Sequence, residues 1–228
     1  LSGTGRNVKG RALGRLESYR QLKRAIPGLD NIYTIIPTLI HGSNNDTPSI
    51  LIIGAGGGRE IEVIKRSGAL GQVTAIDPSA ENLNLARAVT GSDSNIKLIN
   101  GTMDILPHGE TFDIITSLFV MHHLPDDCEK LEYLRSIKKH LAKSGVLIHA
   151  DACLEEAREL ERLVSYFEAT SDALGIPDEI VSLELSSIKN LPLISEERTY
   201  ELFAQSEIFN PQVVFRTLWY RCWVGKNT

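Results

Sequence analysis

Ile50-Leu51-Ile52-Ile53-Gly54-Ala55-Gly56-Gly57-Gly58-Arg59-Glu60-Ile61 is an apolar run that stops at alternating glycines and gives way to a helical pattern. Consecutive large aliphatic side chains suit a strand buried on both faces. Glycine then permits a tight turn and close approach of backbone to a ligand. A second apolar run, Val73-Thr74-Ala75-Ile76, closes at Asp77, an acid able to accept hydrogen bonds from ribose hydroxyls. Strand, glycine turn, helix and an acid ending the next strand make a nucleotide-binding half-unit. Spacing narrows the ligand. Gly54, Gly56 and Gly58 read G-x-G-x-G, and Arg59 stands where the last glycine of the dinucleotide pattern G-x-G-x-x-G would be. A nicotinamide dehydrogenase is therefore the remotest reading.

Outward from this stretch, strands and helices alternate. Strands are expected at about 49–53, 72–76, 96–99, 112–117 and 146–150. Helices are expected at about 58–67, 80–89 and 126–141, with Lys143-Ser144-Gly145 turning the chain into the fifth strand. Such alternation predicts an α/β fold, a parallel sheet covered on both faces. After Asp151 the pattern changes to a long amphipathic helix from Leu154 to Leu174, then shorter helices near 179–187 and 196–205. Residues 212–217 and 221–226 read as two strands that complete a seven-stranded, Rossmann-like sheet with an antiparallel final strand. Upstream, Leu29, Ile32, Tyr33, Ile36, Leu39 and Ile40 form an apolar stripe, with Pro37 expected to bend or end that helix. The expected organisation is an N-terminal arm and helical cap over 1–48, then a main domain over 49–228 in which 154–205 is a helical insertion on the acceptor side.

Two further segments carry a resemblance. Phe112-Asp113-Ile114-Ile115-Thr116-Ser117-Leu118-Phe119-Val120-Met121-His122-His123-Leu124 resembles the fourth-strand motif of small-molecule methyltransferases, and Lys138–Leu147 resembles their helix-turn before the fifth strand. With the glycine loop and Asp77 in the same order, the chain resembles class I S-adenosylmethionine-dependent methyltransferases. Ile26-Pro27-Gly28-Leu29-Asp30-Asn31-Ile32-Tyr33 is similar to the N-terminal cap of a subgroup that includes the carboxy-S-adenosylmethionine synthases. The resemblance implies that Gly54, Ala55, Gly56 and Gly58 carry the methionine part of S-adenosyl-L-methionine, with S-adenosyl-L-homocysteine as product. It implies that Asp77, with Pro78, holds the ribose, that Thr102 and Met103 border the adenine, and that Ser117 and Leu118 lie beneath the sulfonium. Tyr19 and Tyr33, with Arg20, would close over the cofactor from the cap, or pack their helices. Two positions depart from the family pattern. Ile52 replaces the acid usual two places before the first glycine, and Thr102 replaces the acid usual near the adenine, unless Asp104 takes that role.

A sulfonium methyl is already activated, so transfer needs alignment and exclusion of water more than a large catalytic apparatus. A base is required only when the acceptor loses a proton early. His122 and His123 follow strand four on the rim where strand C-termini form a cleft. Either could be that base, or a capping or packing histidine. On a helix, adjacent positions point about 100° apart, so both facing one ligand is not expected, which also counts against a metal site. Asp151 ends strand five on the same rim, as an acceptor ligand or as a helix cap. Tyr166, Phe167, Trp219 and Tyr220 are aromatic candidates for an acceptor pocket, or for the core.

At 228 residues, 42% hydrophobic and 23% charged, the chain has the makeup of an ordinary globular protein of one domain. Neither a membrane-length apolar run nor a secretory leader is visible, and Cys128, Cys153 and Cys222 are few and far apart. A cytoplasmic setting with reduced thiols is the expectation. The net charge of −5 argues against a general nucleic-acid binder. Charge is uneven, however: basic residues from Arg6 to Arg24 open the chain, and 151–207 is rich in acids. These are either solvated faces or, respectively, an RNA-touching arm and a cap that attracts a cationic acceptor. The leading expectation is methyl transfer to a small-molecule acceptor, an amine or a natural product of secondary metabolism, by direct displacement, with a homodimer as the assembly considered. The alternatives are a tRNA-modification enzyme that uses or makes a modified S-adenosylmethionine, and a non-catalytic S-adenosylmethionine-binding partner protein.

Overall fold

The structure is a computed structural model and describes residues 24–42, 45–69, 71–154 and 157–227. Its strands are β1 (Ser49–Ile53), β2 (Gln72–Asp77), β3 (Ile96–Asn100), β4 (Phe112–Leu118), β5 (Leu141–Ala152), β6 (Phe209–Thr217) and β7 (Tyr220–Lys226). They form one sheet in the order β3-β2-β1-β4-β5-β7-β6. From β3 to β5 all pairs are parallel, and β7 runs antiparallel to both β5 and β6. The central strand explains its own sequence. Ile50 and Ile52 belong to the hydrophobic cluster on one face, Leu51 and Ile53 to the cluster on the other. A strand with a core on each side has no solvent face for polar residues.

The described helices are α1 (Asn31–His41), α2 (Arg59–Ser67), α3 (Ala80–Thr90), α4 (Glu129–His140), α5 (Ala157–Leu174), α6 (Asp178–Asn190) and α7 (Glu196–Gln205). Ser79 caps α3 by accepting the Asn82 N–H, and Ser195 caps α7 by accepting that of Arg198. Helix α1 packs on α2, α4 on α7, and α5 on α6. The described part of the expected cap shares the hydrophobic cluster of Ile50 and Ile52, through Ile26, Leu29, Ile32 and Ile36. The arm and residues 1–23 lie outside the described residues.

Several expected boundaries move. Pro37 does not end its helix, which runs on to His41 with Pro37 itself on the buried stripe of Ile32, Tyr33, Ile36 and Ile40. Burial of that stripe outweighs the backbone hydrogen bond that proline cannot make. The helix expected from Asp126 begins at Glu129, because Met121–His123 form a separate 3-10 turn and Cys128 takes a left-handed backbone, φ 90°. Strand β5 starts at Leu141, earlier than expected, and carries a bulge: Phe112 pairs with Leu141, but Ile114 pairs with Val146. Gly145 is required there, since a Cβ would lie 2.8 Å from the Ala142 carbonyl and 3.0 Å from that of Phe112. The last two strands extend beyond 212–217 and 221–226 and meet in a hairpin at Leu218 and Trp219.

The sheet reverses direction between β1 and β4. The chain moves outward from β1 to β2 and β3, then returns to place β4 on the other side. Loops leaving the C-terminal ends of β1 and β4 therefore part to opposite sides and open a crevice.

Candidate functional site

One wall of the crevice is the glycine turn after β1. Gly54, Gly56 and Gly58 all have positive φ, at 76°, 50° and 82°. The Gly54 and Ala55 N–H groups both donate to the Ile76 carbonyl at 2.9 Å, which ties the turn to β2. A Cβ on Gly54 would meet Val120 Cγ2 at 2.6 Å, and one on Gly58 would meet Ala86 of α3 at 3.0 Å. Gly58 thus lets α2 and α3 approach. A Cβ on Gly56 would meet, among the described residues, only the Gly54 carbonyl oxygen at 3.8 Å, so its open side has room for a ligand.

Asp77 stands at the end of β2 and holds this turn. Its Oδ2 accepts the Gly56 N–H at 2.8 Å, its Oδ1 accepts the Ser79 N–H at 2.8 Å, and Asn82 Nδ2 reaches both oxygens. Two carboxylate oxygens offer about four acceptor sites but no donor; the backbone N–H groups take two of them, and the longer Asn82 contacts, 3.3 and 3.4 Å, take the others. Pro78 is exposed beside it. At the end of β3, Thr102 donates to the carboxylate of Asp104, and Met103 is buried between them. Thr102 and Asp104 therefore act as a pair on the exposed side of the 3-10 turn Met103–Ile105.

The opposite wall comes from β4 and β5. Ser117 is fully buried, and its hydroxyl is engaged inward, 2.7 Å from the Tyr133 hydroxyl and 3.2 Å from His149 Nδ1. Beyond Leu118, also buried, Phe119 turns the chain with φ 61°. The 3-10 turn that follows separates the two histidines. His122 is 7% exposed and faces Asp151, with Nδ1 2.5 Å from Asp151 Oδ1, whereas His123 is exposed. The carboxylate lies off the hydrogen-bonding direction of that ring nitrogen, so the pair is a close contact and not an aligned hydrogen bond. No described residue bonds His122 Nε2. Asp151 lies within β5 and accepts the Ala152 N–H at 3.2 Å; it caps no helix. Partial desolvation, and to a lesser extent His122, lower the pKa of His123.

Beneath the pair lies His149, wholly buried and stacked on Trp223. Its Nε2 is 3.8 Å from Asp151 Oδ2. Burial lowers its pKa to about 4, so the ring is neutral at physiological pH. Lys130, buried on α4, donates to the Met121 carbonyl at 2.9 Å and anchors the turn that carries His122; burial lowers its pKa.

The aromatic candidates divide. Phe167 and Trp219 are core residues packed edge to face, and Tyr166 is exposed. Tyr220 meets Phe119 edge-on, with ring centroids 5.1 Å apart, and donates its hydroxyl to Glu184 at 2.8 Å. Tyr33 is buried, with the Arg59 guanidinium 5.8 Å from its ring centroid. Tyr19 and Arg20 lie outside the described residues. Among the described residues no group of three or more His, Cys, Asp or Glu side chains is placed to hold a metal ion.

A methyltransferase-domain family matches residues 51–149, the span from β1 through β5 that builds both walls. Those residues, less than half of the chain, are similar to that family. The demethylmenaquinone methyltransferase of Staphylococcus aureus is 31% identical over 99 residues, 43% of this chain and 38% of that protein. The ubiquinone biosynthesis O-methyltransferase of Colwellia psychrerythraea is 31% identical over 93 residues, 40% of this chain and 37% of its own length. The match thus spans less than two fifths of the curated relatives' length. Among solved structures, the 1,6-didemethyltoxoflavin N1-methyltransferase of Burkholderia thailandensis, bound to 1,6-didemethyltoxoflavin and S-adenosylhomocysteine, superposes with a TM-score of 0.58 at 16% identity. That likeness covers 100% of this chain and 92% of the other, so the fold is shared beyond the matched span, through the helices between β5 and β6 and the last two strands.

Three buried side chains of the described residues carry no motif in the sequence. Glu60, on the first turn of α2, accepts the Thr116 hydroxyl at 2.5 Å, and Thr116 is the register partner of Ile52. A carboxylate from α2 therefore stands close to the strand position where Ile52 removed one. Glu184 lies on the apolar stripe of α6, between Ile180 or Val181 and Ile188. Lys130 lies on that of α4, with Leu134 and Ile137. A charged residue at a stripe position was the available signal for the last two.

Proposed function

We propose that this chain is an S-adenosylmethionine-dependent methyltransferase that transfers the methyl group to a small-molecule acceptor, an amine or other natural product, by direct displacement. The observation that carries the reading is the pairing of two walls across the sheet's reversal point: the glycine turn held by Asp77, and the buried His122–Asp151 contact. The residues present fit the cofactor. The open side of Gly56 takes a ligand without displacing any described residue, and ribose hydroxyls would replace the longer Asn82 contacts on Asp77. Glu60 compensates for Ile52 by supplying a carboxylate from the helix instead of the strand.

Bound there, S-adenosylmethionine supplies a methyl group activated by its sulfonium. The glycine turn and Asp77 orient it, and the Phe119–Tyr220 contact and the buried rim limit water. His122 Nε2 accepts the acceptor's proton, and Asp151 stabilises the resulting imidazolium. Neutral His149 beside Asp151 adds no positive charge to compete with His122 for that carboxylate.

No described helix is long and apolar enough to cross a membrane, which suits an acceptor met in water. The test is calorimetric titration with S-adenosylmethionine, S-adenosylhomocysteine and NAD. Binding of both sulfur nucleotides without NAD, followed by turnover in a screen of small amines and phenols, is the expected result. Binding of neither sulfur nucleotide overturns the reading, and binding without turnover of any acceptor favours a non-catalytic partner.

A further inference from the structure

Helix α6, in the insertion between β5 and β6, places one acid in the core. Glu184 is 4% exposed. Its Oε1 accepts from Trp219 Nε1 at 3.0 Å and from the Tyr220 hydroxyl at 2.8 Å. No described residue donates to Oε2, and no described lysine or arginine lies within ion-pair distance. Tyr220 in turn meets Phe119 edge-on, and the Phe119 and His122 rings are 6.5 Å apart between centroids. The carboxyl group therefore lies one aromatic pair away from the histidine proposed as base.

A carboxylate in such a place is costly unless it is protonated or meets a cation. Burial pushes the Glu184 carboxyl up, against the opposing effects of its hydrogen bonds to Tyr220 and Trp219 and of nearby His122. Packing alone does not explain the acid, since an amide would accept the same two hydrogen bonds without the cost of a charge. We propose that Glu184 is the anchor for the acceptor, its free Oε2 binding the ammonium or N–H group of a small amine, and that the enzyme selects such acceptors over neutral ones of the same shape. This rests on the reading of the His122–Asp151 rim as the acceptor side. The insertion then has a specific part in recognition. Helix α6 delivers the charge, while Trp219 and Tyr220 of the hairpin hold it in one orientation.

The test uses the whole chain saturated with S-adenosylhomocysteine and titrated with two matched pairs, tyramine against 4-ethylphenol and tryptamine against 3-ethylindole. Each amine is expected to bind at least about tenfold tighter than its neutral counterpart, the scale of one charge-assisted hydrogen bond. Glu184→Gln keeps an oxygen for Trp219 and Tyr220 and removes only the charge. It should bind S-adenosylhomocysteine as the wild type does and lose the preference for amines. Equal binding within each pair, no binding of either amine, or an unchanged preference in E184Q overturns the assignment. Failure of the wild type to bind S-adenosylhomocysteine overturns the methyltransferase reading itself, and this inference with it. The comparison of amine with neutral ligand on the wild type needs no variant, so it stands even if E184Q fails to fold.

Discussion

Asp77→Asn changes few atoms and tests the cofactor site most directly. In the wild type each carboxylate oxygen accepts one backbone N–H at 2.8 Å, Oδ2 from Gly56 and Oδ1 from Ser79. Asparagine keeps the shape but converts one oxygen into an amide with two donors. In either orientation one of those backbone N–H groups faces another N–H. The Asn82 amide, within 3.4 Å of both oxygens, removes any neutral orientation. A buried donor left without an acceptor costs about 1–3 kcal/mol. The unfolding free energy from urea titration should fall by that amount. Affinity for S-adenosylmethionine should fall as well, because the Gly56 turn loses its tie and the ribose loses a charged acceptor. A loss of about 1.5–3 kcal/mol is expected, roughly ten- to a hundredfold in Kd. Stability and affinity both unchanged in D77N would refute the reasoning. A drop in stability alone would leave Asp77 as a brace for the turn and sink the ribose contact.

Loss of the proposed base, in His122→Gln or Asp151→Asn, should lower kcat by roughly 10²–10⁴ with the Kd for S-adenosylmethionine unchanged; equal turnover would remove His122 from the chemistry. Gly54→Ala should destabilise the fold, because it adds a Cβ at φ 76° and 2.6 Å from a stiff valine methyl. Gly56→Ala should cost only about 1 kcal/mol in stability, from its positive φ, while losing cofactor affinity, since its Cβ enters the open side; thermal unfolding and calorimetry of the two variants would expose the opposite pattern if the turn were merely structural. The pKa of buried His149 is about 4 in the fold against an ordinary 6.5, so the unfolded chain takes up the proton first. Its contribution is fully present above about pH 6.5 and is lost as pH falls toward 4, up to about 3 kcal/mol by linkage. Unfolding free energies of wild type and His149→Gln at pH 7 and 4.5 should therefore converge at the lower pH, and parallel pH slopes would contradict this account.

The segment between β5 and β6 shows where local pattern stops being informative. Its three helices lie close to their expected positions, since amphipathic spacing is a local property. Glu184 passes as one acid among many in 151–207, because its partners Trp219 and Tyr220 lie 35 and 36 residues away. Glu60 likewise looks like an ordinary first-turn acid until β4 brings Thr116 to it, 56 residues on. Tyr33, named from a resemblance as a cofactor neighbour, is buried with the Arg59 guanidinium 5.8 Å from its ring centroid.

By itself the sequence determined the alternating order of elements, the double-faced burial of β1, the glycine turn and the acid at the end of β2. Each depends on side-chain period and backbone freedom within a few residues. Only the tertiary structure decided which histidine turns inward. The His-His pair sits on a 3-10 turn set by Phe119 and held by buried Lys130, and those constraints point His122 at Asp151 and leave His123 outside. It also decided which acids are buried, because burial is a relation between elements far apart in the chain, fixed when the sheet brings β4, β5 and the final hairpin together.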